Sequence, residues 1–233
     1  MKIAVVGIGG IPVGKHNLQD PRLNRAHELV EAKKKTCAQV DVLPPEAARE
    51  ADAILVSHER WPDLILEDLE FVETRLGRAS AQNERTALEK ARCALEQERP
   101  VSRAGLSEEE TRLLRGYPLV THRPVTVATP DEATEPEALM LRAFAAAGYI
   151  CFLTVGGKEN RAWPIRRGAT AWEAAGVIHS DIQRGFIRAE VISFEDFLSA
   201  GGETPAKRAG KLRLEPRHYV MQDYDVVNFR FNK

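Results

Sequence analysis

Short apolar runs recur along the first part of the chain. Lys2–Val6 (KIAVV) is rich in β-branched residues and ends at Gly7, which predicts a buried strand. Val40–Leu43, Ala53–Val56 and, further along, Pro124–Ala128 predict three more buried strands. Because helical patterns separate these runs, we predict an α/β domain with a parallel sheet of four strands.

The clearest helix start is Asp20-Pro21. Asp is a favoured N-cap residue, and Pro is favoured at the first helical position. The apolar residues that follow are spaced three and four apart, as on one face of a helix: Leu23, Ala26, Leu29 and Val30. We assign this helix to the same α/β domain as the first strand.

Residues 63–99 are charge-rich and nearly free of Gly and Pro, unlike the segments on either side. They carry two apolar stripes at helical spacing, namely Leu66, Leu69, Val72 and Leu76, then Leu88, Ala91 and Leu95. With a bend at Ser80–Asn83, this pattern predicts an antiparallel helical hairpin of coiled-coil type. A capping-box pattern, Ser107 with Glu110, predicts a shorter helix at Ser107–Arg115.

The C-terminal third has shorter elements. A polar hinge (129–137) and a helix (Ala138–Ala147) lead into it. The predicted strands are Tyr149–Val155, Ile187–Ser193, His218–Met221 and Val226–Phe231. The predicted helices lie near Thr170–Ala175, Phe194–Ala200 and Pro205–Ala209.

Composition narrows the class of protein. The chain is 43% apolar and 29% charged, which is typical of a globular protein, and no apolar run approaches the length of a membrane span. The N-terminus is better explained as a buried strand than as a signal peptide. Three scattered cysteines (Cys37, Cys93 and Cys151) imply neither a disulfide framework nor a zinc site, so we expect a reducing cytoplasm.

Charge is unevenly distributed, although the net charge is −1. Residues 150–233 carry 13 Lys and Arg against 10 Asp and Glu, which permits contact with RNA. The candidate contact residues are Lys158, Arg161, Arg166, Arg167, Arg184 and Arg188. The first four fall within ten residues and are expected to form one patch. The alternative is a solvated face balanced by Glu159 and Asp181.

A glycine-rich segment follows the first strand. Gly9, Gly14 and Lys15 keep the spacing G-x-x-x-x-G-K of a phosphate-binding loop, in which backbone N–H groups and the lysine hold phosphates. His16 stands where Ser or Thr would bind Mg²⁺, and imidazole is a poor ligand for that hard ion. No second residue lies at metal-ligand spacing from His16, so we predict no metal site.

Several long segments resemble one known family. The strings GGKENRAWPIRRGATAWEAAGVIHSDI, GFIRAEVISFEDF, AGKLRLE and YVMQD lie within residues 149–233. They resemble the C-terminal TGS domain of the YchF-type, Obg-like ATPases. Upstream, DPRLNRAHELVEAKKKTCAQVDVL, READAILV, LILEDLEFVETRL and LSEEETRLLRGYPLVTHRPVTVATPDE are similar to the nucleotide-binding domain and helical arm of that family.

The resemblance implies three parts. Residues 1–62 and 117–147 would form a degenerate G-domain-like core with a truncated P-loop-type parallel sheet. Residues 63–116 would form the helical hairpin arm, inserted into that core. Residues 148–233 would form the TGS domain, with the β-grasp (ubiquitin-like) fold.

Departures from the family pattern concentrate at the nucleotide site. The predicted helix starts at Asp20, five residues past Lys15. The negative charge of this N-cap residue disfavours binding of an anion at the helix N-terminus. Asp41 lies within a predicted strand followed by Pro44-Pro45, so the Asp-x-x-Gly of switch II is missing. In the base-reading loop, Glu132 is retained but Thr129 replaces the family Asn. Tyr224 replaces a Gly in a C-terminal turn, which predicts strain if that turn needs a positive φ.

Two functions remain open. The favoured hypothesis is a non-catalytic relative that binds RNA, the ribosome or a protein partner through the TGS domain and the arm, with no catalytic residue and no cofactor. The alternative is a nucleotide-binding protein with residual ATPase activity, in which Gly9, Gly14, Lys15 and Glu132 hold ATP or GTP with Mg²⁺. No membrane contact is expected.

Overall fold

A computed structural model describes residues 1–232. The chain forms two compact units. The first contains Met1–His16 and Val40–Ala147, and the second contains Asn17–Gln39 and the residues from Gly148 onward. The sequence assigned residues 17–39 to the first domain, whereas they make their contacts in the second unit.

The elements are numbered in chain order. The strands are β1 (Lys2–Val6), β2 (Gly14–Asn17), β3 (Lys34–Thr36), β4 (Gln39–Leu43), β5 (Ala53–Ser57), β6 (Val125–Ala128), β7 (Tyr149–Thr154), β8 (Glu159–Arg166), β9 (Phe186–Ile192), β10 (Arg213–Glu215) and β11 (Val226–Phe231). The helices are α1 (Pro21–Leu29), α2 (Trp61–Leu76), α3 (Gln82–Glu96), α4 (Glu108–Leu114), α5 (Pro136–Ala146), α6 (Ala171–Ile178), α7 (Ser180–Arg184), α8 (Phe194–Ala200) and α9 (Glu203–Arg208).

The first unit is built on a five-stranded sheet with the order β2-β4-β1-β5-β6. β1 pairs in parallel with β4 and β5, and β5 pairs in parallel with β6. The four predicted strands are all present. Their apolar residues are fully buried on both faces of the sheet, for example Ile3, Ala4, Ile54 and Leu55. The predicted α/β fold with a parallel sheet is therefore confirmed, with β2 as an additional edge strand.

The helical hairpin is formed by α2 and α3. Its core contains Ile65, Val72, Leu88 and Leu95, whereas Leu66 is 61% exposed. The prediction that Leu66 lies on the buried stripe was wrong, because the buried residue is Ile65, one position earlier. Ile65 lies four residues before Leu69, so the helical period aligns Ile65 with the stripe and turns Leu66 to solvent.

A buried carboxylate fixes the chain after the hairpin. Asp68 accepts hydrogen bonds from the backbone N–H groups of Val120 (2.9 Å) and Thr121 (2.7 Å) and from the Thr121 hydroxyl (2.6 Å). Burial raises the pKa of Asp68, and the hydrogen bonds oppose that rise. At the start of α4, Ser107 and Glu110 form both hydrogen bonds of the predicted capping box.

The second unit has a six-stranded mixed sheet with the order β10-β9-β11-β7-β8-β3. Helix α6 packs on it through Ala171, Ala174 and Ala175. β8 was not predicted because Pro164 interrupts its pattern, but Pro164 lies beyond the residues that pair with β3, so no ladder hydrogen bond is lost there. The predicted strand at His218–Met221 is wrong, since its only ladder contact is the isolated bridge between Val220 and Thr170.

Helix α1 packs within the second unit. It begins at the predicted N-cap, where the Asp20 carboxylate accepts from the backbone N–H of Arg22 (2.9 Å). The side-chain amide of Asn160, fully buried in β8, donates to the carbonyl of Val30 and lies 2.9 Å from the imidazole Nδ1 of His27. These contacts explain why residues 17–39 belong to the C-terminal unit.

Candidate functional site

The glycine-rich segment of the first unit ends in a strand. Gly9 and Gly10 form a turn, and Gly14, Lys15 and His16 lie in β2 at the edge of the sheet. In a phosphate-binding loop the Gly-Lys pair lies where a helix begins, because the free N–H groups of that helix face the anion. Here the next helix begins at Pro21, as the sequence predicted. The side chain of Lys15 is exposed.

His16 is engaged within the same segment. Its Nε2 lies 2.6 Å from the carbonyl oxygen of Pro12. The imidazole therefore interacts with the loop backbone where a hydroxyl would ligate Mg²⁺ in the resembled family. Within residues 1–232, no group of three or more His, Cys, Asp or Glu side chains is arranged to hold a metal ion.

Gly7, directly after β1, is exposed but leaves no space for a side chain. A Cβ added there, where φ is +70°, would clash with Cγ of Arg60 and lie 2.7 Å from Oγ of Ser57. The guanidinium of Arg60 is paired with Asp63 at 2.8 Å. The carboxyl end of β1, where a nucleotide binds in open parallel sheets, thus lies beside the β5–α2 connection.

Glu132 is used by its own loop. One oxygen accepts from the backbone N–H (2.9 Å) and the hydroxyl (3.0 Å) of Thr129, and the other is paired with Arg142. The hydrogen bonds from Thr129 and Arg142 lower the pKa of Glu132. The carboxylate therefore closes the turn after β6, and Arg142 also donates to the carbonyl of Val127 (2.5 Å).

The four basic residues near β8 do not form one patch. Arg161 lies over the ring of Trp163 (3.9 Å), and Arg166 lies over the ring of Tyr149 (4.0 Å). Because side chains alternate along a strand, Arg161 and Arg166, five positions apart in β8, project from opposite faces of the sheet. The expectation of one patch is therefore wrong, although Lys158, before β8, and Arg167, after it, are both exposed.

Two of the predicted basic residues border one cleft in the second unit. Arg184, at the end of α7, and Arg188, in β9, are among the residues around a volume of about 340 Å³. The others are Trp172, Gln183, Phe186, Ile187, Pro216, Arg217 and His218, and we call this site the Trp172 cleft. Arg188 pairs with Arg230 across the ladder and alternates with Ala189, which packs on α6, so its side chain projects from the opposite face of β9. The cleft therefore combines Arg184, Arg217, His218 and the indole of Trp172, and its lining contains no carboxylate.

Local structure positions the members of the Trp172 cleft. Thr170 and Glu173 form a capping box at the start of α6, and the backbone N–H of Trp172 donates to the carbonyl of Arg217 (3.2 Å). The guanidinium of Arg217 lies 5.0 Å from the ring centroid of Trp172. Arg217 and His218 were not among the predicted site residues; His218 was assigned to a strand, and Arg217 to no element. The adjacent Arg-His pair after Pro216 was the available signal.

The turn at Tyr224 has the predicted positive φ, +65°. Its side chain is only 1% exposed and packs against Phe194 (5.3 Å between ring centroids) and under the guanidinium of Arg22 (3.6 Å). Arg22 is also paired with Asp20 (2.8 Å) and Asp223 (2.7 Å). Burial raises the pKa of the Tyr224 hydroxyl, and nearby Asp20 adds to this effect.

None of the helices in the described part of the chain is both long and apolar enough to span a bilayer. The sequence has clear relatives. Residues 149–232 match the YchF-GTPase C-terminal family, described as a protein of unknown function (DUF933). The "Ribosome-binding ATPase YchF" of Bacillus subtilis (strain 168) is 32% identical over 235 residues, covering 73% of this chain and 64% of the relative. This chain thus spans less than two thirds of that relative's length.

One further relative matches part of the sequence, and one solved structure matches nearly the whole fold. The "Ribosome-binding ATPase YchF" of Haemophilus influenzae is 58% identical over 81 residues, which are 35% of this chain and 22% of the relative. The solved structure of the Schizosaccharomyces pombe YchF GTPase superposes with a TM-score of 0.75 at 19% identity, covering 99% of this chain and 97% of that chain. That identity establishes similarity of fold alone.

Proposed function

Since the chain is a relative of the YchF-type, Obg-like ATPases, we propose that it is a non-catalytic member that binds the ribosome or its RNA through the second unit. The observation that supports this most directly is the position of Lys15 in strand β2. A phosphate loop needs a helix N-terminus behind its Gly-Lys pair, and hydrolysis needs a positioned metal and a γ-phosphate sensor as well. Asp41 lies inside β4 and is followed by Pro44-Pro45.

The residues present do not suit a nucleotide with Mg²⁺. His16 contacts Pro12, and Glu132 is held by Thr129 and Arg142. We therefore derive no catalytic step for this chain. Gly9, Gly14, Lys15 and Glu132 keep their residue types without the arrangement that would make them a nucleotide site.

The second unit supports the binding role. Its match to the family covers residues 149–232, and the matched relatives are named ribosome-binding. We further propose that this unit is a TGS domain of the β-grasp fold, on the basis of its mixed sheet packed against α6. If the chain binds ribosomes, it acts in the cytoplasm.

The alternative function is a nucleotide-binding protein with residual ATPase activity. The retained spacing of Gly9, Gly14 and Lys15 is the observation in its favour. Calorimetric titration with ATP and GTP, each with Mg²⁺, separates the two functions. We expect no heat of binding at millimolar nucleotide, whereas a saturating isotherm would refute the non-catalytic proposal.

Sedimentation through a sucrose cushion tests the ribosome partner. We expect the chain to pellet with ribosomes at low salt and to be released as salt rises, because phosphate contacts release counterions. A chain that stays in the supernatant at low salt, and that retains no RNA on purification, would refute the binding role.

A further inference from the structure

We propose that the Trp172 cleft binds single-stranded RNA, with one base stacked on the Trp172–Arg217 pair and a backbone phosphate held by Arg184. This inference rests on the proposed function and names the ligand of one site on the second unit.

The stacking surface is already assembled. The guanidinium of Arg217 lies over the Trp172 ring, and the backbone hydrogen bond from Trp172 to Arg217 holds the two residues together. Bases that are not paired in a helix stack on aromatic rings and on guanidinium planes, because every base has a π-face. Trp172 is half-buried and Arg217 is exposed. The indole therefore fixes the stacked pair to the protein, and the guanidinium is the side of the pair that faces solvent.

The charges of the cleft suit a phosphodiester backbone. The cleft lining contains Arg184, Arg217 and His218 and no carboxylate. Arg184 is paired with Asp181 at 2.5 Å, but both side chains are more than half exposed, at 78% and 62%. An ion pair that open to water contributes little free energy, so a phosphate can replace Asp181 as the partner of Arg184.

The shape of the cleft favours a single strand over a duplex. A concave site of about 340 Å³ has room for a nucleotide turned out of its strand. A duplex hides its base faces and is recognised mainly by its backbone and 2′-hydroxyl groups across a wide minor groove. The side chains of Gln183 and His218, which also line the cleft, provide hydrogen-bonding groups for a ribose 2′-hydroxyl. An acidic peptide would form ion pairs with the arginines, but it has no base to stack on the Trp172–Arg217 pair.

Fluorescence anisotropy with a labelled single-stranded RNA decamer of mixed sequence tests the proposal on the full chain. We expect Arg217→Ala and Arg184→Ala each to weaken binding about tenfold, the size of effect that loss of one stacked base or charge gives. Arg184→Ala should also reduce the slope of log K against log salt by about 0.7. Trp172→Phe, which keeps an aromatic ring, should bind within threefold of the unaltered chain.

Arg208→Ala is the matched control, because Arg208 is an exposed arginine of the same unit outside the cleft. We expect it to change the affinity less than twofold. Equal weakening by Arg208→Ala and Arg184→Ala would overturn the proposal, because binding would then follow overall charge. Equal affinity for an RNA duplex, or displacement of the RNA by an acidic peptide at lower concentration, would also overturn it.

Sedimentation with ribosomes separates this inference from the proposed function. If the unaltered chain and Arg217→Ala pellet equally, the cleft assignment falls and the ribosome-binding role stands. If the chain does not pellet but binds the decamer through the cleft, the ribosome as partner falls and the cleft assignment stands.

Discussion

Two positions that depart from the resembled family differ in what surrounds them. His16 lies in β2 where that family has a hydroxyl residue, and no helix begins until Pro21. Before β11, Tyr224 stands where the family has a Gly, at a φ of +65°, and its side chain is buried under Arg22 and against Phe194. The first position lacks the local structure that a phosphate loop needs, whereas the strain at the second is offset by the contacts of its side chain.

The contrast shows that a fold and a site have different requirements. The sheet of the first unit depends on apolar burial at positions such as Ile3 and Ile54, and that burial is intact. A phosphate site depends on where a helix begins, and a shift of a few residues abolishes it. Substitutions at three positions test this contrast.

Tyr224→Ala should have the largest effect, a loss of about 3–5 kcal/mol in the free energy of unfolding, because it empties a buried aromatic site. Tyr224→Gly should cost about 1 kcal/mol less than Tyr224→Ala, since only Gly adopts a positive φ without steric cost. Urea denaturation measures both. At Val220, which is half-exposed and has no positive φ, the order should reverse, with Gly costing more than Ala. Tyr224→Gly less stable than Tyr224→Ala would contradict the claim of backbone strain.

Asp20→Asn should have an intermediate and pH-dependent effect. Burial alone would raise the pKa of Asp20, but hydrogen bonds from Arg22 outweigh burial and lower it below the ordinary value of 3.8. Ionised Asp20 therefore stabilises the fold above that value, and the stabilisation is lost as pH falls through the lower folded-state pKa. Because Arg22 is partly exposed, we expect a cost of about 1 kcal/mol at neutral pH.

Denaturation midpoints measured from neutral to acidic pH check this dependence. The difference between Asp20→Asn and the unaltered chain should shrink towards zero in acid. Asp181→Asn, at an exposed ion pair, should change the free energy of unfolding by no more than about 0.5 kcal/mol at any pH. A constant cost of Asp20→Asn across the range would contradict the prediction, because Asn still caps the helix and the charge of Asp20 would then not be what stabilises the fold.

His16→Thr should have the smallest effect, namely no gain of nucleotide binding. It restores the hydroxyl that would bind Mg²⁺, but Lys15 and its neighbours remain in β2 without a helix behind them. Calorimetry with ATP and Mg²⁺ should detect no binding to His16→Thr or to the matched His16→Ala. Heat with the Thr variant alone would mean that the missing hydroxyl, rather than the strand, is what prevents binding.

Continuous apolar runs made much of the fold predictable. β1 and β11 were predicted with their observed bounds, and so was α8, because each combines apolar burial with clear end signals. The edge strands β2 (GKHN) and β3 (KKT) carry no such signal, since their polar side chains face solvent on much of their surface. They are strands because they lie beside β4 and β8.

The candidate site was less predictable. That no helix begins at Lys15 followed from the position of Asp20-Pro21 alone. The basic residues were identified by type, but grouping them required knowing that β8 is a strand and that Arg161 and Arg166 therefore lie on opposite faces. Arg217 joins the Trp172 cleft through a contact 45 positions away in the sequence, which no local pattern records.

Because α1 and β3 pack with the C-terminal strands, the second unit is assembled from two stretches of chain that 108 residues separate. A fragment cut at Gly148, where the family match suggests a boundary, would leave the amide of Asn160 without the carbonyl of Val30 and Tyr224 without Arg22. Proteolysis at that point would yield a fragment in which the surfaces that α1 and β3 cover on β8 are open to solvent, so both stretches are needed for the second unit to be complete.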